Sequence, residues 1–128
     1  MKTIIIKRHK WSRGNLYNNA LLIGRNVIEV AFLTKNTSPL KKRIPKLGTM
    51  CCLGFACLAL GATRKEIKNR ALPKFVERLL PGLNRQDDED WCAEAATIND
   101  DEKITDEERE EKLVSLAAEN GFKFVFKS

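Results

Sequence analysis

Three groups of side chains in this 128-residue chain have the types and spacing to do chemistry. In KRHKWSR, Lys7, Arg8, Lys10 and Arg13 surround Trp11. Cations interleaved with an aromatic suit a nucleic acid or nucleotide, the cations for phosphate and the π face for a stacked base. The competing reading is a polar loop whose tryptophan folds back into the core. Lys41, Lys42, Arg43 and Lys46 form a second basic group within TKNTSPLKKRIPK, a loop punctuated by Pro39 and Pro45. A loop this long and this basic is either mobile or faces a ligand, and is the stretch most expected to change order on binding. These nine residues are the candidate binding set, and its ligand would be anionic.

The third group is Cys51, Cys52, Cys57 and Cys92. A cysteine at a helix N-terminus can be a lowered-pKa nucleophile, but nothing in the sequence places a base or an orienting residue beside Cys51. Zinc spacing is absent as well. C-C-x4-C with one distant cysteine matches neither paired C-x2-C knuckles nor a C2H2 pattern, and His9 is the only histidine. Free buried thiols are the simpler expectation. The acidic runs DDED and NDDEK lack the glycine and distal glutamate of an EF-hand loop, and acids opening a helix suit its dipole without a metal. No cofactor is expected.

The element that must position these groups is Thr49 to Ala62, TMCCLGFACLALGA, in which the thirteen residues from Met50 onward are all apolar or glycine. A helix of that length covers roughly 20 Å, too short for a hydrocarbon core of about 30 Å. Apolar on every side, it reads as a central buried helix, with Gly61 as its stop. Around it, Thr3 to Lys7 reads as a strand buried on both faces or at the sheet centre, and Asn26 to Leu33 as a second strand. Thr63 with Glu66 forms a capping box for a helix to about Arg70, and Leu72 to Leu80 is a further helix opening near Pro73. A helix from Asp87 through Ile98 carries Trp91, Ala95 and Ile98 on one side. Thr105 with Glu108 opens the best-marked helix, closed near Gly121, and Phe122, Phe124 and Phe126 alternate along a final strand. A helix-turn-helix over 50 to 80 would bring Arg64, Lys65, Lys68 and Arg70 toward DNA, but its first helix is too uniformly apolar.

Charge is divided along the chain. Residues 1 to 74 balance at +14 and residues 75 to 128 at −8, within a net +6. Either the two parts neutralise each other on folding, or one face stays basic and attracts an anionic partner.

Two segments carry a family resemblance. Cys51, Cys52, Leu53 and Gly54, then Leu72 and Pro73, then Ile98, Asn99 and Asp100, followed by the DEER-type helix, resemble a group of small uncharacterised tailed-bacteriophage proteins. The similarity covers roughly residues 50 to 126 and implies a setting, the cytoplasm of an infected bacterium, without an activity.

The sequence therefore predicts one α+β domain over 1 to 128. It would hold about five helices around the apolar segment, with a three- or four-stranded sheet from both termini and Asn26 to Leu33. The mature chain is expected to be cytosolic, since MKTIIIKRHKW has no signal-peptide apolar region. The functional expectation is a non-enzymatic phage accessory protein that binds a host component through the basic clusters. It would act as an anti-defence inhibitor or by sequestering a nucleotide signal; the alternative is a nucleic-acid-binding protein, with a cysteine enzyme third.

Overall fold

A computed structural model describes residues 2–14, 22–24, 46–68 and 89–128. The described elements run β1 (Lys2–Lys7), a single 3-10 turn (Arg8–Lys10), α1 (Cys52–Ala59), α2 (Arg64–Ile67), α3 (Glu89–Asp100), α4 (Asp106–Glu119) and β2 (Phe122–Lys127). The class is α+β, with four α-helices and a two-stranded sheet among the described residues. The strand expected at 26–33 and the helix expected at 72–80 lie outside them, as do Lys41, Lys42 and Arg43.

The two termini meet in the sheet. β1 and β2 are parallel, with Ile4 opposite Phe124, Ile5 opposite Val125 and Lys7 opposite Lys127. Alternation along each strand sorts the faces: Ile4, Ile6, Phe122 and Phe124 are buried, while Thr3, Ile5, Lys7, Lys123 and Lys127 are exposed. The expectation that Thr3 to Lys7 is buried on both sides is corrected here, because Ile5 is 45% exposed. One sheet face packs on the helices and the other is open.

The apolar segment forms the hub, but α1 is shorter than the run itself. Residues 49 and 50 are drawn into extended pairing instead: the Met50 amide donates to the Lys10 carbonyl, the Ser12 amide to the Met50 carbonyl, and the Ile23 amide to the Thr49 carbonyl. At the other end the Gly61 amide donates to the Leu58 carbonyl and the Ala62 amide to the Cys57 carbonyl. This paired closure needs a left-handed residue, and Gly61 supplies it at φ 108°. Cys51 through Cys57 are all buried, against β1, α2 and α3. None of the described helices is long and apolar enough to cross a membrane.

Local signals explain the remaining boundaries. Thr63 and Glu66 make both halves of a capping box, yet α2 ends at Ile67, where Lys68 enters a bridge with Leu22. The Thr105 hydroxyl accepts from the Glu108 amide to open α4. The Glu108 carboxylate turns instead toward Lys112 at 3.3 Å, so the box is half formed.

Candidate functional site

The turn between α3 and α4 is held by a buried cation. Arg109, 2% exposed, sends Nη1 to the carbonyls of Ile98 at 3.0 Å and Asp101 at 2.7 Å, and Nη2 to that of Ile104 at 3.1 Å. Its Nε lies 3.5 Å from Asp106 Oδ1. A positive charge at the negative end of α3 is favoured, and it satisfies carbonyls the helix leaves unpaired.

That turn fixes Asn99, fully buried in the last turn of α3. Its Oδ1 accepts from the Trp11 indole Nε1 at 2.8 Å and from the Cys52 amide at 3.1 Å. Its Nδ2 donates to the Ser12 carbonyl at 2.9 Å and to Asp100 Oδ1 at 3.0 Å. The Gly14 amide completes the junction on the Asn99 carbonyl at 2.8 Å. Both lone-pair directions and both amide protons are used, so the side chain is fully satisfied. From the sequence, Asn99 reads as an end cap. It does cap, but the first amide it covers belongs to α1, a different helix.

This junction decides where the first basic group goes. Trp11 is in the core, with Phe126 at 4.7 Å between ring centroids and the Arg13 guanidinium carbon 4.7 Å from its ring. Arg13 also reaches Asp106 at 3.1 Å and donates to the Trp11 carbonyl at 2.9 Å. Arg8 holds Glu110 with two parallel hydrogen bonds of 2.8 Å, and this pairing raises its pKa further above the ordinary arginine value. Both guanidiniums are thus neutralised by α4, and the indole is covered on the side where a base would stack.

Among the described residues, three lysines of the candidate set remain outside such pairs. Lys7, Lys10 and Lys46 are exposed. The structure brings the described end of the second cluster toward the first: Met50 hydrogen-bonds the Lys10 carbonyl, and the neighbouring Thr49 amide and hydroxyl both donate to the Lys46 carbonyl. Lys127 joins them, one rung across from Lys7. Like charges directly opposite on paired strands repel, so this rung costs stability unless an anion lies over it. Lys127 is not among the nine candidates read from the sequence, because its placement beside Lys7 depends on a parallel register between residues more than a hundred positions apart, for which the sequence carries no local signal.

The cysteines occupy a different environment. All four are buried and unbridged. Cys51 occupies the N-cap position of α1 without a side-chain capping hydrogen bond, and although the backbone amides there favour its thiolate, burial dominates and pushes the thiol up to about 12. Cys57 is likewise pushed to about 12, by burial and then by Cys51 and Cys92, and Cys52 is raised well above its ordinary value by burial and Cys51. The lowered-pKa nucleophile considered from the sequence is therefore not what Cys51 is. Among the described residues no three His, Cys, Asp or Glu side chains gather to hold a metal ion.

On the far side of α4 an open groove of about 590 Å³ runs between α3 and α4, with Ile98 and Leu116 at its floor and Glu94, Glu108, Glu111 and Glu119 around it. Comparison of the chain with protein families, with characterised proteins and with solved structures finds no match in any of the three.

Proposed function

We propose that this chain is a non-enzymatic accessory protein, of the tailed-phage kind its CCLG and IND segments resemble, that binds an anionic host component in the bacterial cytoplasm. The observation that carries this reading is the rung Lys7 opposite Lys127, two exposed like charges that an anion would relieve. Lys10 and Lys46 would extend the site, with Lys41, Lys42 and Arg43 as its continuation. Arg8, Arg13 and Trp11 take the supporting role of fixing the 3-10 turn that follows β1. The burial of Trp11 favours a protein or nucleotide target over a nucleic acid read by stacking on that ring.

The experiment is affinity purification from host cells of wild type beside the double variant Lys7→Glu/Lys127→Glu. Captured protein is identified by mass spectrometry and captured nucleotide by the 260/280 nm absorbance ratio. A specific component held by wild type and lost by the variant supports the proposal. Equal capture by both removes the rung from the binding site. A nucleic-acid target would instead show capture falling steeply with salt, on a log-log slope set by the number of phosphates contacted.

We further propose that residues 26–33 extend the sheet and 72–80 complete the helix cluster, on the strength of their β-branched and helical patterns. Amide hydrogen exchange tests this, since rapid exchange throughout 26–33 would exclude a paired strand there.

A further inference from the structure

We infer that the groove between α3 and α4 binds a linear aliphatic polyamine, a chain of ammonium groups joined by short methylene runs. Half-buried Ile98 and buried Leu116 supply an apolar floor, and above it stand the exposed carboxylates of Glu94 from α3 and of Glu108, Glu111 and Glu119 from α4. Glu108, Lys112, Ser115 and Glu119 recur at helical spacing along one line of α4, about 16 Å from end to end, so an acid stands at each end of the trough.

One alkylammonium is already in place. Lys112 lines the groove and sets its ammonium 3.3 Å from the Glu108 carboxylate. A polyamine would repeat that contact along the groove, with methylenes over the apolar floor and a charged nitrogen at each acid. Among the described residues Glu94, Glu111 and Glu119 make no ion pair, so three carboxylates face the groove without a cation. The chain as a whole is +6, which opposes a polycation. Binding here therefore draws on local contacts and not on net charge.

The shape of the site separates this ligand from other cationic ones. Among the described residues no three carboxylates gather to hold a metal ion, and acids strung along a helix suit charges strung along a chain better than a single compact ion. A cationic protein surface would need a larger apolar centre than Ile98 and Leu116 provide. A groove of about 590 Å³ instead takes a slender chain molecule whole.

The test is isothermal titration of the purified full chain with spermidine at low salt, with Mg2+ as the compact competitor. Wild type should bind one equivalent of spermidine, and Mg2+ at equal concentration should not displace it. At roughly a threefold contribution per exposed ion pair, Glu111→Gln/Glu119→Gln should weaken binding about tenfold, and Lys112→Gln, which releases Glu108, should strengthen it about threefold. Lys123→Gln makes the same change in net charge on the sheet and should leave the affinity as it was. No binding by wild type overturns the inference, as does displacement by Mg2+ mole for mole. So does wild-type affinity in the double glutamine variant with its circular dichroism spectrum preserved, or an equal effect of Lys112→Gln and Lys123→Gln, which would mean that only net charge matters. None of these failures touches the host-partner reading, which rests on the lysines of the sheet.

Discussion

The side-chain oxygen of Asn99 lies 2.8 Å from the indole nitrogen of Trp11, across 88 residues of sequence, and the same oxygen covers the first amide of α1. Three segments distant in the chain converge on one buried amide. Asn99→Ala removes the acceptor of the buried Trp11 Nε1 and of the Cys52 amide, and takes one donor from the Ser12 carbonyl. At about 1 to 3 kcal/mol for each orphaned group, partly relieved by relaxation, the loss should be about 2 to 4 kcal/mol in urea denaturation.

Asn99→Asp separates the acceptor role from the donor role. The carboxylate can still accept from Trp11 and Cys52 but cannot donate to Ser12, and it adds a charge beside Asp100. Burial and that neighbour raise the new carboxyl's folded pKa above its unfolded value. Its deficit relative to wild type should therefore grow as pH rises through the unfolded carboxylate range. Equal deficits at pH 4 and pH 7 would count against a donor role for Asn99.

The thiols make a pH prediction of the same sign. Cys51 and Cys57 titrate near 12 when folded, against an ordinary 9.0. Below 9 both states keep the proton and stability is unaffected. Between about 9 and 12 the unfolded state releases protons that the folded state retains, so stability should fall by about 1.4 kcal/mol per pH unit for each of these two thiols. In the native protein at pH 8, a thiol reagent such as Ellman's should label none of the four cysteines, and all four after unfolding. Rapid native labelling would place a thiolate at the surface.

Arg109→Met keeps the apolar length of the side chain but abandons the carbonyls of Ile98, Asp101 and Ile104. The expected loss is about 3 kcal/mol, measured by thermal or chemical unfolding, in the range for breaking a buried charged network. Arg109→Lys should recover little of it, because one ammonium cannot span carbonyls that the guanidinium reaches with two nitrogens.

The parts of this fold legible in the sequence are those written within a few residues. Thr63 with Glu66, the Thr105 cap, Gly61 after the apolar run and Gly121 before β2 each act on neighbours, and the alternation of Phe122 to Phe126 sets its own strand. The apolar run announced the core helix but not its first residue, since Thr49 and Met50 are claimed by partners near Lys10 and Ile23. The candidate site was legible by residue type and not by fate. Lys7 and Arg8 are neighbours in sequence, yet one points to the open sheet face and the other into Glu110. That division follows from strand alternation together with a helix a hundred residues away. Lys127 entered the site through the same long-range register.

The most direct test of the proposed binding surface is capture of the host component by two charge-matched double variants. Lys7→Glu/Lys127→Glu alters the rung, whereas Arg64→Glu/Lys65→Glu makes the same change in net charge on the exposed side of α2. The account predicts that the first loses capture at least tenfold while the second stays near wild type. Equal loss in both would mean that only overall charge matters, and retention in both would mean that the partner binds elsewhere.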